Sequence, residues 1–477
     1  MNVSITICIW YNSNMNVSSE SDTAIGHDNK NDKYTEMTTT PVEKLVLRFA
    51  GPSIVIMLIS AIYNITDTFF VSTLGTSQAG AVGIAFPLMA VIQAMGFFFG
   101  QGTGNYISRA LGAKDTEGAS KMAATGLLSG FIVMAFIASM GLIFLNPLVI
   151  GLGATETIKP FARDYTLFVL LASPWMVAAT VINQQLRFQG NAVFAMVGML
   201  SGAVLNIALD PLFIFALNLG VMGAAVATLI SQMTSFFILF FYASRQKGNV
   251  KIKFKNFSPS IARYAEMFKG GVPALIRQSL MSIAGIIINH FAHPYGDAAI
   301  AAITISNRIS MFAFSAVLGF GQGFQPVCGF NYGAKLYSRV KKAFWFCVRF
   351  CFVILLVIAV FLAIFAPAII ALFRKDDLEV IAIGTLGLRL QCISLPFAAA
   401  AVIVNMLTQT MGKALEASIV ALSRQGLFLI PCLFILSPLL GLNGIQLSRP
   451  VSELASLAVV IPILIRTLKS LSGPDGS

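Results

Sequence analysis

Within the apolar stretch from Asn191 to Val221, the run Asn206-Ile-Ala-Leu-Asp210-Pro211 places a carboxylate where hydrocarbon is expected. A charged side chain at the centre of a membrane span costs about 2.5 to 3.5 kcal/mol on insertion scales, so such groups face a bundle interior or a wet cavity and mark ion pathways. Asn206 precedes Asp210 by one helical turn and shares its face, where the amide can hydrogen-bond the carboxylate or help ligate its cation. Pro211 has no N–H and clashes with the turn before it, which predicts a kink beside the acid and a freed carbonyl at Ile207. A second acid, Asp67, follows Tyr63 and Asn64 by about one turn and shares a helix face with both. A capping or snorkelling carboxylate is the plainer reading of either acid alone. Two acids in low dielectric tend to share a proton, however, and that would tie protonation to conformation.

The elements that must position these residues are membrane helices. The chain has 477 residues, of which 57% are hydrophobic and only 11% charged, too apolar for a solvated surface. Windows long enough to cross about 30 Å of hydrocarbon fall near 45–73, 80–108, 122–146, 164–186, 192–218, 221–243, 270–292, 298–330, 343–373, 379–408, 414–440 and 444–466. The short alternating runs of a membrane barrel are absent, so the predicted fold is all-α and polytopic with twelve spans.

The net charge of +12 does not point to nucleic acid, because the basic residues gather in particular loops. Arg109, Lys114, Lys121 and Arg187, the run from Arg245 to Lys269, and Lys335 to Lys342 would lie on one side. Lys159, Arg163, Arg374 and Lys375 would lie on the other, the last two offset by Asp376, Asp377 and Glu379. The asymmetry predicts that both termini and the first group are cytoplasmic in a multi-pass protein of the cell membrane. Residues 1–40 are polar and are expected to be disordered. They lack the basic start and apolar core of a secretory signal, and Met15 or Met37 could be the true start. Six cysteines without a CxxC read as small hydrophobes. Cys347 with Cys351, and His290 with His293, lack the further ligands of a metal site.

Halfway along, the sequence begins again. A shift of 221 superposes Pro52 on Pro273, Gly100-Gln101-Gly102 on Gly321-Gln322-Gly323, Gly112-Ala113-Lys114 on Gly333-Ala334-Lys335, and Gly220 on Gly441; a shift of 222 superposes Pro174 on Pro396 and Gly190 on Gly412. The repeat holds six spans, an even number, so the halves run in the same sense and are related by a pseudo-two-fold axis along the membrane normal. The expected division is an N-terminal lobe at 41–243, a basic linker at 244–269, a C-terminal lobe at 270–470 and a tail at 471–477. Lobes meeting at the midplane can open a cavity to either side in turn, the architecture of alternating access. Asp67 and Asp210 match apolar positions in the second half, so the acids form one asymmetric site. Glu453 in the last span has Arg449 one turn before it, and an intrahelical ion pair explains it.

The double six-span repeat, the Gly100-Gln101-Gly102 and Gly112-Ala113-Lys114 elements and Asn206-x-x-x-Asp210-Pro211 together resemble the multidrug and toxic compound extrusion (MATE) family over residues 42 to about 468, most closely its DinF-like, MepA-like branch. The resemblance implies a V of two six-helix lobes and an antiport cycle driven by protons or sodium. It implies a cation site at Asp67, Asn206, Asp210 and Thr228, with Tyr63 beside Asp67. The NorM-like branch is known for acidic ligands in its seventh and tenth spans, whereas this sequence has no Asp or Glu at 270–296 or 381–411. Arg277 and Gln278 occupy the seventh span instead, where they could contact substrate, meet the opposite lobe or bond between helices; with Asn64 they are the candidates to line a substrate cavity.

The reading that follows is export of amphipathic, often cationic, small molecules by a monomer in the bilayer, with no nucleic-acid partner. No cofactor is expected beyond the coupling ion, and no metal other than possible Na+ at Asp67 and Asp210. A flippase for lipid-linked oligosaccharides is the alternative, disfavoured because the spans offer few basic residues for a pyrophosphate: Arg277, Arg308 and Arg389. An intramembrane enzyme would need a nucleophile with its base, a metal triad or paired aspartates in motif context, and only Asp67 and Asp210 could serve.

Overall fold

A computed structural model describes residues 29–245, 250–373, 377–473 and 475. The side chains of 29–32, 61–69 and 72 lie outside the described part. Every regular element among the described residues is helical. A short helix, α1 (Asn29–Thr39), precedes α2 (Val42–Ser72), α3 (Thr76–Gly112), α4 (Thr116–Ile143), the short α5 (Leu145–Gly151), α6 (Lys159–Phe188), α7 (Ala192–Pro211) and α8 (Gly220–Arg245). The second half follows as α9 (Ile261–Ala292), α10 (Gly296–Gly333), α11 (Tyr337–Phe373), α12 (Leu378–Thr410), α13 (Ala414–Leu422) and α14 (Ile430–Lys469). Nine described stretches are long and apolar enough to cross a membrane. Two of them, Ile261–Gly333 and Ala414–Lys469, hold a pair of crossings each. Gly441 (φ 59°, ψ −135°) breaks α14 into the end of the eleventh span and the whole of the twelfth. With α2 the crossings number twelve, in two six-helix lobes.

The repeat predicted from sequence returns as backbone geometry. Lys114 (φ 62°) and Lys335 (φ 59°), neither a glycine, adopt the same left-handed turn after matched helices, as do Gly190 (φ 77°) and Gly412 (φ 79°). A side chain matches too: Asn183 Nδ2 donates to the Ala195 carbonyl at 2.8 Å, and Asn405 Nδ2 donates to the Ala417 carbonyl at 2.7 Å.

The lobes meet through backbone. A Cβ on Gly102 would strike the Met267 carbonyl on α9, and one on Gly323 would strike Ala50 on α2. Gly112 and Gly333 sit against each other's helices in the same way, the first on the Phe330 carbonyl and the second on that of Arg109. The two Gly-Gln-Gly elements are therefore packing devices that let α3 close on α9 and α10 close on α2.

Three expectations change. Residues 29–39, expected to be disordered, form α1, and residues 1–28 lie outside the described residues. The helix is polar, but it is seated: Met37 is fully buried, Lys33 donates to Asn191, the Lys114 ammonium lies 4.6 Å over the Tyr34 ring, and Asn331 Nδ2 donates to the Met37 carbonyl at 3.2 Å. Contacts from both lobes supply what its own composition lacks. Arg187, expected in a loop, is fully buried and donates to Gln184 on its own helix and to Gln322 in the other lobe. The segment expected to link the lobes up to residue 269 is helical from Ile261, where the Ser260 hydroxyl accepts from Arg263 N–H at 3.3 Å and caps α9.

Candidate functional site

The buried residues of α7 include Gly198, Gly202, Asn206 and Asp210, one per turn along a single stripe. The stripe faces α8. The Ser235 hydroxyl of α8 donates to the Gly198 carbonyl at 3.0 Å, and a Cβ on Gly202 would lie 2.8 Å from Ser235 Cβ and 3.1 Å from the Ser231 carbonyl. Two glycines thus draw the backbones together; the next turn of the same stripe carries Asn206 into the seam, and Asp210 is buried a turn beyond it. There Asn206 Nδ2 lies 3.4 Å from Thr228 Oγ1, at the outer limit of a hydrogen bond. Asp210 is 0% exposed, and Asn206, Thr228 and Ser231 are each 1% exposed. The Asn206 carbonyl oxygen accepts no hydrogen bond among the described residues, which leaves it free to ligate.

The break expected at Pro211 takes the form of a π-turn over Leu212–Ala216. It is closed by Leu217 N–H donating to the Leu212 carbonyl at 2.9 Å. Single π-turns are frequent at functional sites. The turn leans on α8, where Gly223 has no side chain to hold the Phe213 backbone away. The structure therefore brings Asn206 against Thr228, with Asp210 buried one turn further along the same stripe. Tyr63, Asn64 and Asp67 lie on α2, which packs along α7, but their side chains are outside the described part.

The seventh-span candidates point to different neighbours. Gln278 Nε2 donates to Gln93 Oε1 of α3 at 3.1 Å, a contact between lobes. Arg277 Nη1 donates to Asn405 Oδ1 of α12 at 3.3 Å, within the C-terminal lobe. The ion pair expected between Arg449 and Glu453 is replaced: Glu453 takes Arg424 Nη2 at 3.0 Å, and Arg449 Nη1 reaches Asn307 Oδ1 at 3.0 Å. Arg424 stands on a second π-turn, Ser423–Leu429, which aims it across to the twelfth span. Sequence reasoning passed over Arg424. A lone arginine inside the apolar window 414–440 was the available signal, as informative in principle as Asp210. Among the described residues no group of three or more His, Cys, Asp or Glu could hold a metal ion.

Two six-helix lobes in close contact at one face, with a buried acid inside one of them, have the architecture of a membrane transporter. The chain belongs to the MatE family, whose model matches residues 52–212 and 273–435. It is 30% identical to "Multidrug export protein MepA" of Staphylococcus haemolyticus (strain JCSC1435), over 92% of this chain and 97% of that protein. Its fold is similar to a crystal structure of MATE in complex with MaL6, with a TM-score of 0.87 at 28% identity, covering 92% of this chain and 99% of that one. It is also similar to the outward-facing conformation of a multidrug resistance MATE family transporter of the MOP superfamily, with a TM-score of 0.85 at 28% identity, covering 92% of this chain and all of the other.

Proposed function

We propose that the chain is a secondary multidrug exporter that exchanges an entering cation, a proton or sodium, for amphipathic and often cationic compounds by alternating access. In this reading it works as a monomer in the cell membrane with both termini in the cytoplasm. The cation is handled in the N-terminal lobe by Asp210, Asn206 and Thr228, with Asp67 and Tyr63 contributed by the neighbouring α2. The observation that carries the reading is the complete burial of Asp210 on the stripe it shares with Asn206, whose amide lies against Thr228. A carboxylate with no solvent exposure inside a membrane lobe costs free energy that a merely structural role does not require, and the name of the Staphylococcus relative supports multidrug export. Gln278 and Arg277, with Asn64, are the proposed contacts for substrate.

The test is transport by purified protein in proteoliposomes with an imposed pH or sodium gradient. Asp210→Asn should reconstitute to the same yield as wild type and lose gradient-driven ethidium uptake by roughly tenfold or more, the scale of about 1.4 kcal/mol in coupling free energy. Wild-type uptake by Asp210→Asn would overturn the assignment. Loss of sodium dependence with retained pH dependence, or the reverse, identifies the ion.

A further inference from the structure

The C-terminal lobe carries polar machinery that cation coupling does not use. Arg277 on α9, Arg424 on the second π-turn and Arg449 in the twelfth span all stand within membrane crossings. Beyond residue 270 the described acids are Asp297, Asp377, Glu379 and Glu416, each at the start of a helix, Asp475 in the tail, and Glu453. Glu453 is thus the one described carboxylate available to three guanidinium groups. It pairs with Arg424, both side chains being 11% exposed. Among the described residues, Arg449 and Arg277 donate to the amide oxygens of Asn307 and Asn405. Neutral acceptors satisfy geometry without cancelling charge, so these three guanidinium groups and one carboxylate leave an excess of two positive charges in a medium where an unbalanced charge attracts strongly.

Two of the three guanidinium groups, those of Arg277 and Arg424, stand at a space. Arg277, Arg424, Asn405 and Gln425 line a cavity of about 20 Å³ whose remaining walls are alanines and valines of α12 and α13. The volume suits one small ion or the head of a carboxylate. The Arg424 guanidinium lies 4.8 Å from the centre of the Phe314 ring, which fixes it, while its Nε donates to no acceptor among the described residues. Arginine is the side chain suited to such a site, since its planar fork presents several donors to a carboxylate or halide and keeps its charge when dry.

We propose that this cavity is an anion subsite, filled by a small inorganic anion such as chloride or by the carboxylate of a zwitterionic substrate. The N-terminal lobe then offers a carboxylate and the C-terminal lobe guanidinium groups, so the two lobes have opposite polarity. The proposal concerns binding alone and stands whether or not Asp210 couples transport to an ion.

Two arms test it on the purified full-length protein at constant sodium concentration and ionic strength. The first compares thermal unfolding in sodium chloride with that in sodium gluconate, whose anion is too large for the cavity. The second compares equilibrium binding of rhodamine B, which has a free carboxylate, with that of its ethyl ester, which has the same chromophore. A higher unfolding midpoint in chloride assigns the site to a free anion. Binding of rhodamine B about tenfold tighter than the ester assigns it to a substrate carboxylate. In either case Arg277→Gln abolishes the difference. So does the double change Arg424→Gln with Glu453→Gln, which removes the ion pair together and leaves no orphaned charge. No difference in either arm for wild type overturns the proposal, and so does a difference that both variants retain.

Discussion

A methyl group at Gly202 would press on Ser235 Cβ and the Ser231 carbonyl, so the absence of a side chain there sets how deeply Asn206 and Asp210 enter the seam. Gly202→Val overpacks this interface and is expected to destabilise by about 1 to 3 kcal/mol, lowering the thermal unfolding midpoint and abolishing export. Gly285→Val, at a glycine with open space around it, is the control and should leave both unchanged. Equal effects from the two would show that the seam has no special tightness. Asn206 and Asp210 were legible in sequence because a charge inside an apolar run is conspicuous and helical periodicity assigns its neighbours. Gly198 and Gly202 continue the same four-residue stripe, and that signal went unread. The partner of Glu453 was misjudged because the nearest base in sequence, Arg449, is drawn away by Asn307, a competition that only the reach of Arg449 to α10 in the folded chain reveals.

At the level of elements, α1 shows how composition misleads. A polar segment has too little apolar surface to order itself, yet here its binding surface is provided by both lobes, through Lys114 and Asn191 of one and Asn331 of the other. Lys33 is the sensitive point of that docking, since burial lowers its ammonium from 10.5 to about 8, partly countered by Glu36. The helix lies outside the membrane crossings, and its folded pKa lies below the unfolded value. The undocked form therefore binds more protons between about pH 8 and 10.5, so docking strengthens as pH rises through that window and is weakest below it. Hydrogen exchange at the α1 amides, corrected for intrinsic base catalysis, should give higher protection at about pH 9.5 than at about pH 7. Lys33→Met should remove the difference. Protection that falls with pH in the wild type would contradict the account.

Across the whole molecule, closure at one face rests on a small set of contacts that bridge the two copies of the repeat. Glycines bring Gly112 onto Phe330 and Gly333 onto Arg109. Arg109 also donates to the Thr410 carbonyl at 2.8 Å and pairs with Glu266 at 2.8 Å, and the Thr410 hydroxyl donates to Asn105 Oδ1 at 2.9 Å. Arg187 is a fully buried cation whose acceptors among the described residues are Gln184 on its own helix and Gln322 in the other lobe. The repeat and its glycines were readable from sequence; the role of Gln322 was not, because its partner comes from the other lobe and had been assigned to a loop. Gln322→Leu leaves the guanidinium with one acceptor in place of two, and losing a hydrogen bond to a buried charge costs about 1.5 to 3 kcal/mol. That is enough to shift the equilibrium between closed and open faces by roughly ten- to a hundredfold. Cys328, fully buried next to Gly329, whose own backbone abuts Ser108 of the opposite lobe, reports on that equilibrium. Alkylation by a membrane-permeant maleimide, followed by mass spectrometry of the peptide containing Cys328, should proceed faster in Gln322→Leu than in wild type. The reactivity of Cys347 and Cys351, buried on α11, should stay level. Unchanged labelling of Cys328 would mean that the glycine contacts alone hold this face shut, and a parallel rise at Cys347 would mean that the variant had loosened the whole C-terminal lobe and had not opened the face between the two.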